Sequence, residues 1–272
     1  MKVLVVLVLA LASASAGLLP KVAPVHPRDR VSTPSINGRI TNGKDAVADQ
    51  FPYQLGLAFS SSQGGWWCGG SLISTRWVLT AAHCTDGAAS VTINFGATVR
   101  TSPKFTQTVA SSNFIQHESY LSAIIRNDIS LIKISDVSLS AAVNTIALPA
   151  SSSSYTSLVG KTAVASGWGL VSDSATAVHK DLQYVDLPII AKSVCEDTFG
   201  SLIVTNRILC VGTDNKSSTC QGDSGGPLVY DKTLIGATSF GSASGCEAGL
   251  PAAFTSVAYY VPWILANTDI KQ

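Results

Sequence analysis

Charge is scarce in this chain. Asp, Glu, Lys and Arg make up 13 % of its 272 residues, and apolar residues are spread along it, which excludes a disordered, highly charged polymer. Residues 1–39 hold five of the 18 basic residues and one of the 17 acids, so the remainder is mildly acidic. It has no cluster of Lys and Arg, and neither nucleic acid nor an anionic membrane is expected as a partner. Long apolar runs are lacking too. The longest, Val3 to Ala12, falls well short of the roughly 20 residues that span a bilayer. His83-Cys84 has no second His or Cys at ligand spacing, so no metal site is expected. No convincing long amphipathic helix interrupts the chain, and its halves share no repeat.

What is present begins with Lys2, the apolar run, and Ala14 and Ala16 in A-x-A spacing. This reads as a signal peptide, residues 1–16, cut after Ala16. Export makes the six cysteines, Cys68, Cys84, Cys195, Cys210, Cys220 and Cys246, a disulfide framework. Residues 17–39 are rich in Pro, Ser and Val without periodicity, so little structure is expected there.

Short apolar runs separated by Ser, Gly and Gln then predict strands over 54–59, 71–80, 91–95, 105–109, 129–134, 162–166, 182–187 and 208–211. A further pair, 228–230 and 233–239, is joined by Asp231-Lys232 as a hairpin. Pro149 to Ser157 is the expected crossover between two halves. Tyr259 to Asn267 has helical spacing, with Pro262 expected in its first turn and Trp263 and Ile264 against the second half. Strand periodicity by itself says only all-β, as one or two barrels or sandwiches.

Thr219 to Pro227 reads T-C-Q-G-D-S-G-G-P. Three glycines around an Asp-Ser pair predict a tight turn in which backbone approaches whatever the serine touches. A serine hydroxyl is a weak nucleophile until a base takes its proton and donors stabilise an oxyanion. The chain supplies A-A-H-C at His83 and N-D-I-S-L at Asp128. His26, His117 and His179 lack such context and are expected to be solvated.

With R-I-T-N-G, W-V-L-T-A-A-H-C, N-D-I-S-L-I, S-G-W-G, G-D-S-G-G-P and S-F-G in that order from Arg39 to about Asn267, the chain resembles chymotrypsin-family serine endopeptidases. Within them it resembles the digestive chymotrypsin-like and collagenase-like enzymes of arthropods. The resemblance implies two packed six-stranded antiparallel barrels with a short C-terminal helix, over residues 40–272. The barrels would span about 40–149 and 158–256, and the helix about 259–267. It implies His83, Asp128 and Ser224 as catalytic residues, with Gly222 and Ser224 N–H groups as the oxyanion hole. It also implies disulfides Cys68–Cys84, Cys195–Cys210 and Cys220–Cys246. Residues 17–39 become a propeptide cut at Arg39-Ile40, after which the new amino terminus pairs with Asp223. That propeptide has no cysteine, so it is expected to diffuse away once cut.

Trypsin-like members have aspartate at the base of the primary pocket, where this chain has Ser218. Ser239, Gly241 and Ala252 match the pocket walls. The expected substrates are proteins or peptides cut after Phe, Tyr or Leu, and the expected partners an activating trypsin-like protease and protein inhibitors. A monomer is expected. Relatives that hold calcium use acidic side chains after the strand at Val91, and residues 95–116 contain none, so no cofactor is implied. Asn215-Lys216-Ser217 is a glycosylation sequon. A regulatory cascade protease, or a homologue that binds without catalysis, is the alternative to a digestive enzyme.

Overall fold

The computed structural model describes residues 20–26, 41 and 43–271. The expected signal peptide and the Arg39-Ile40 bond lie outside the described residues.

Two antiparallel sheets carry the chain. Strands β1 (Pro24–Val25) and β2 (Lys44–Asp45) come first and join the second sheet. The first sheet holds β3 (Gln54–Ser61), β4 (Gly64–Ser74), β5 (Trp77–Thr80), β6 (Ser90–Phe95), β7 (Phe105–Ala110), β8 (Phe114–Gln116) and β9 (Ser130–Lys133), in the order β7-β6-β3-β4-β5-β9-β8. The second holds β10 (Thr162–Gly167), β11 (Gln183–Pro188), β12 (Ile208–Val211), β13 (Pro227–Tyr230), β14 (Thr233–Ser242) and β15 (Ala252–Ser256). Its order is β12-β15-β14-β13-β10-β11-β2, with β1 added on β14.

Alternation explains which faces are buried. Val91, Ile93 and Phe95 of β6 point inward with Leu55, Leu57 and Phe59 of β3. Ala163, Val185, Leu187, Leu228 and Phe254 do the same in the second sheet. Each Leu, Ile or Phe so buried contributes about 1.5–3 kcal/mol. The sheets are not fully closed barrels. In the second, bonds from the Ile190 N–H to the Cys210 carbonyl (3.0 Å) and from the Gly212 N–H to the Pro188 carbonyl (2.8 Å) draw β11 toward β12. In the first, no ladder joins β7 to β8 among the described residues.

Several elements differ from the sequence reading for local reasons. A turn at Thr75-Arg76 splits the run 71–80 between β4 and β5. Asp231 and Lys232 both adopt positive φ, 45° and 58°, the turn that matches the twist of a two-residue hairpin. Helix α1 is the single turn Ala82–Thr85. Helix α2, Lys192–Phe199, has only Cys195 and Phe199 buried, one turn apart, which is too sparse a pattern to announce a helix.

The C-terminal helix α3 runs Val257–Ala266 and carries Pro262 inside it, beyond the first turn where it was expected. Proline leaves the carbonyl four residues earlier without its helical donor. That carbonyl, of Ala258, accepts the Ser152 N–H at 3.0 Å, so the crossover containing residues 149–157 supplies the missing bond. Tyr260 and Ile264 pack with Trp77 and Leu79 of the first sheet and with Leu234 and Ala237 of the second. The helix thus bridges both sheets, where packing on the second alone was expected. No helix among the described residues is long and apolar enough to cross a membrane.

Candidate active site

The loop between β12 and β13 folds back on itself. The Asp223 N–H reaches the Cys220 carbonyl (3.0 Å) and the Gly226 N–H the Asp223 carbonyl (2.8 Å). The Ser224 carbonyl accepts the Gly69 N–H of β4 at 2.8 Å, which docks this turn on the first sheet. Gly225 has φ +73° and a Cβ there would collide with Thr80 Oγ1, so the approach requires glycine. Gly222, at φ +94°, is likewise confined, between Val178 and Gly169. Among the described residues neither the Gly222 nor the Ser224 N–H donates a hydrogen bond. Both remain available to an oxyanion.

Across the sheet boundary, α1 presents His83. Asp128 Oδ1 accepts the His83 backbone N–H at 2.9 Å and Oδ2 meets Nδ1 at 2.9 Å. One carboxylate therefore fixes both the helical turn and its imidazole. Asp128 is itself held from three sides. Ser239 donates its hydroxyl to Oδ2 at 2.6 Å, and Thr255 donates to the Asp128 carbonyl at 2.7 Å. Its neighbour Asn127 sits at φ 55°, a left-handed conformation that asparagine tolerates. Asn127 is anchored by the Tyr260 hydroxyl at 2.8 Å and by its own bond to the Ser119 carbonyl at 2.8 Å.

Burial alone would raise the Asp128 pKa, but the charges of His83 and His26 and the bonds from His83 and Ser239 outweigh it and hold it well below the carboxylate range. The ionised carboxylate makes Nδ1 of His83 the protonated nitrogen and leaves Nε2 as the base. The Cys84 sulfur lies 3.8 Å from that Nε2 and 3.6 Å from the Ser224 carbonyl oxygen, so imidazole and serine flank the same disulfide. Ser224 is fully buried and its Oγ has no hydrogen-bond partner among the described residues.

A second imidazole was missed. His26 is buried, stacks on His83 with ring centroids 4.0 Å apart, and places Nδ1 2.8 Å from the Ser239 carbonyl and 3.6 Å from Asp128 Oδ2. It was expected to be solvated, and its place in an aperiodic leader concealed it. His117, also expected in solvent, stacks on Trp263. His26, Asp128 and Ser239 thus form a triad-like set, but Ser239 gives its proton to Asp128 and not to an imidazole. His26, His83 and Asp128 also bring possible ligand atoms within 4.8 Å of one another. Both Nδ1 atoms are donors in that cluster, which suits hydrogen bonding better than a cation.

Asp223 has no such company. Its Oδ1 accepts the Gly169 N–H at 2.8 Å and its Oδ2 the Cys220 N–H at 2.9 Å. No cationic side chain among the described residues reaches it. Burial pushes its pKa up to about 7 against the pull of those two N–H groups. Thr41 is fully buried nearby, its hydroxyl 3.2 Å from the Ser218 carbonyl.

Ser218 is buried and donates to the Thr219 carbonyl at 3.0 Å. Ala252 faces Val211 across the β12–β15 ladder and joins the apolar cluster with Phe254. Disulfides link Cys68 to Cys84, Cys195 to Cys210 and Cys220 to Cys246. Three such bonds agree with a secreted protein.

The trypsin family profile matches residues 40–264. Serine protease 1 of Drosophila melanogaster is 49 % identical over 87 % of this chain and 88 % of its own length. Brachyurin of Leptuca pugilator is 42 % identical over 85 % of this chain and 99 % of its own. The solved structure of HL collagenase superposes with a TM-score of 0.79 at 35 % identity, covering 85 % of this chain and 99 % of that one. With a family match across most of its length and a hydrogen-bonded His83–Asp128 pair beside the Ser224 turn, this chain belongs to the trypsin family of serine endopeptidases.

Proposed function

We propose that His83, Asp128 and Ser224 carry acyl transfer. The observation that supports this most is Asp128 gripping both N–H groups of His83 beside the Ser224 turn. His83 Nε2 takes the proton of Ser224 Oγ as that oxygen bonds to the scissile carbonyl carbon. The carbonyl oxygen becomes an oxyanion facing the Gly222 and Ser224 N–H groups. The same proton then passes to the leaving amine as the C–N bond breaks, and water repeats the sequence to release the acyl group. Asp128 stays ionised throughout and holds the tautomer.

The protein is made as a zymogen with signal peptide 1–16 and propeptide 17–39, opened after Arg39 by a trypsin-like protease. The new Ile40 ammonium supplies the cation that Asp223 lacks. Thr41, buried one residue beyond that bond, supports this. The pocket over Ser218, walled by Ser239, Gly241 and Ala252, is uncharged and takes Phe, Tyr or Leu. Relatives named collagenase and brachyurin favour a digestive enzyme of the gut lumen, acting as a monomer on protein substrates and open to protein inhibitors.

Brief trypsin treatment of the precursor, followed by a serine-directed fluorophosphonate, tests the reading. Labelling at Ser224 should rise with the appearance of an Ile-Thr-Asn-Gly amino terminus, and Arg39→Gln should block both. A trypsin-cut chain that neither labels nor cleaves any peptide refutes the assignment.

A further inference from the structure

The leader segment Pro20–His26 was expected to lack structure, yet it is bound across the catalytic residues. Val25 pairs with Gly241 and Pro24 with Ser242 in an antiparallel ladder on β14, and the Ala243 N–H donates to the Ala23 carbonyl at 3.0 Å. The Lys21 and Val22 N–H groups both reach the Thr198 carbonyl at 3.1 Å, at the end of α2. The last residue, His26, covers the face of His83 and occupies the Ser239 carbonyl. With the segment in place His83 and Asp128 are each 1 % exposed and Ser224 is closed off entirely.

We propose that Pro20–His26 is a built-in ligand of the peptide cleft, held as an added strand on β14 and capped by the His26 ring on His83, and that it blocks substrate until the leader departs. The proposal rests on the serine endopeptidase reading and goes beyond it, because cleavage at Arg39 alone would leave the excised segment still able to bind. Strand addition derives its affinity from main-chain bonds and its selectivity from side chains in pockets. Here the main-chain partners are Gly241 and Ala243 and the selective side chain is His26. The His26 ring also fills an acceptor, the Ser239 carbonyl, that a backbone N–H would otherwise use. The residue that follows is Pro27, which has no N–H to offer.

A tethered segment competes at an effective concentration of roughly millimolar. A free peptide need therefore bind only at about 0.1–1 mM to account for the block.

The test uses trypsin-activated enzyme, freed of its leader, with a synthetic peptide spanning residues 20–27. The peptide should raise the KM for a chromogenic substrate and leave kcat unchanged. The His26→Ala peptide should compete about tenfold more weakly, and a scrambled peptide not at all. In the intact precursor, hydrogen exchange in the fragment carrying Gly241 to Ala243 should be slower than in the activated enzyme, and His26→Ala in the full chain should speed it. Absence of competition up to about 5 mM, inhibition that lowers kcat alone, or equal exchange in precursor and activated enzyme each overturn the proposal. In all of those outcomes the enzyme still cleaves substrate, so they differ from failure of the protease reading, in which nothing is cleaved.

Discussion

Asp128 and Asp223 are both shut away from water, and burial pushes each toward its neutral form, yet they end on opposite sides of the carboxylate range. Asp128 faces two imidazoles and a serine hydroxyl. Asp223 faces two backbone N–H groups and no cation among the described residues. Two backbone bonds do not offset the loss of hydration at Asp223, whereas the electrostatic pull of two imidazoles together with the bonds from His83 and Ser239 does so at Asp128. The two sites also differ in use: the ionised Asp128 keeps His83 in one tautomer, while Asp223 is the carboxylate left for the proposed Ile40 ammonium to compensate.

The comparison breaks most severely at Asp128. Asp128→Asn keeps the shape but frees Nδ1 of His83 from an obligatory acceptor. Turnover should fall by about 10⁴, the size seen when the triad carboxylate is replaced elsewhere in the family, with KM little changed. Steady-state kinetics on the activated enzyme check it, and a loss below tenfold would remove Asp128 from the mechanism.

A third buried carboxylate sharpens it. Ser218→Asp places a buried anion at the proposed pocket base, so a substrate that brings its own cation should be favoured. Cleavage after Arg or Lys should appear, with a gain of about 10² or more over the parent, because an unpaired buried charge costs several kcal/mol. Peptides differing only in that residue give the answer. An unchanged preference would mean that Ser218 does not line the pocket.

Asp223 offers an effect of a few kcal/mol. Its folded pKa near 7 lies above the unfolded value of 3.8, so between these the folded precursor retains a proton that the unfolded chain has shed. Precursor stability should consequently fall as pH rises from about 4 to 7, and Asp223→Asn should flatten that slope. In the activated enzyme the pH window should move upward. On the proposed pairing the Ile40 ammonium, with an ordinary pKa of roughly 7.7–8.0, would be raised, so its stabilisation would be present below that value and lost as pH climbs through the raised one. Thermal melts of precursor and activated forms across pH separate the two, and parallel curves would mean that Asp223 gains no cation on cleavage.

The position of both carboxylates was legible because each sits in a contiguous motif. G-D-S-G-G-P and A-A-H-C carry their own turns, and alternation named most strands to within a residue or two. Contacts between segments distant in sequence were not legible. Nothing local marks Ser152 as the donor that repairs the helix at Pro262, or Thr255 as a prop for Asp128. Helix α2 rests on two apolar residues, and the strands at 114–116 and 252–256 were missed, one too short to alternate and the other buried along its whole length. His26 was hardest, since an aperiodic leader acquires a strand only when β14 supplies the partner.

The smallest effect is expected where no charge is involved. Ala252, a proposed wall of the pocket, pairs with Val211 across the ladder and packs in the cluster of Phe254. Removing it subtracts one apolar group from that cluster, which costs about 0.8 kcal/mol of burial, and widens the pocket by the same volume. A bulky indole should benefit and a leucine should not. Ala252→Gly is therefore expected to raise Trp cleavage relative to Leu by a few-fold, while the melting temperature drops by a few degrees. Competition between matched Trp and Leu peptides reads the first and a thermal melt the second. If stability falls while the Trp to Leu ratio is fixed, the methyl belongs to the sheet's core alone, and the limit on indole lies elsewhere along β14.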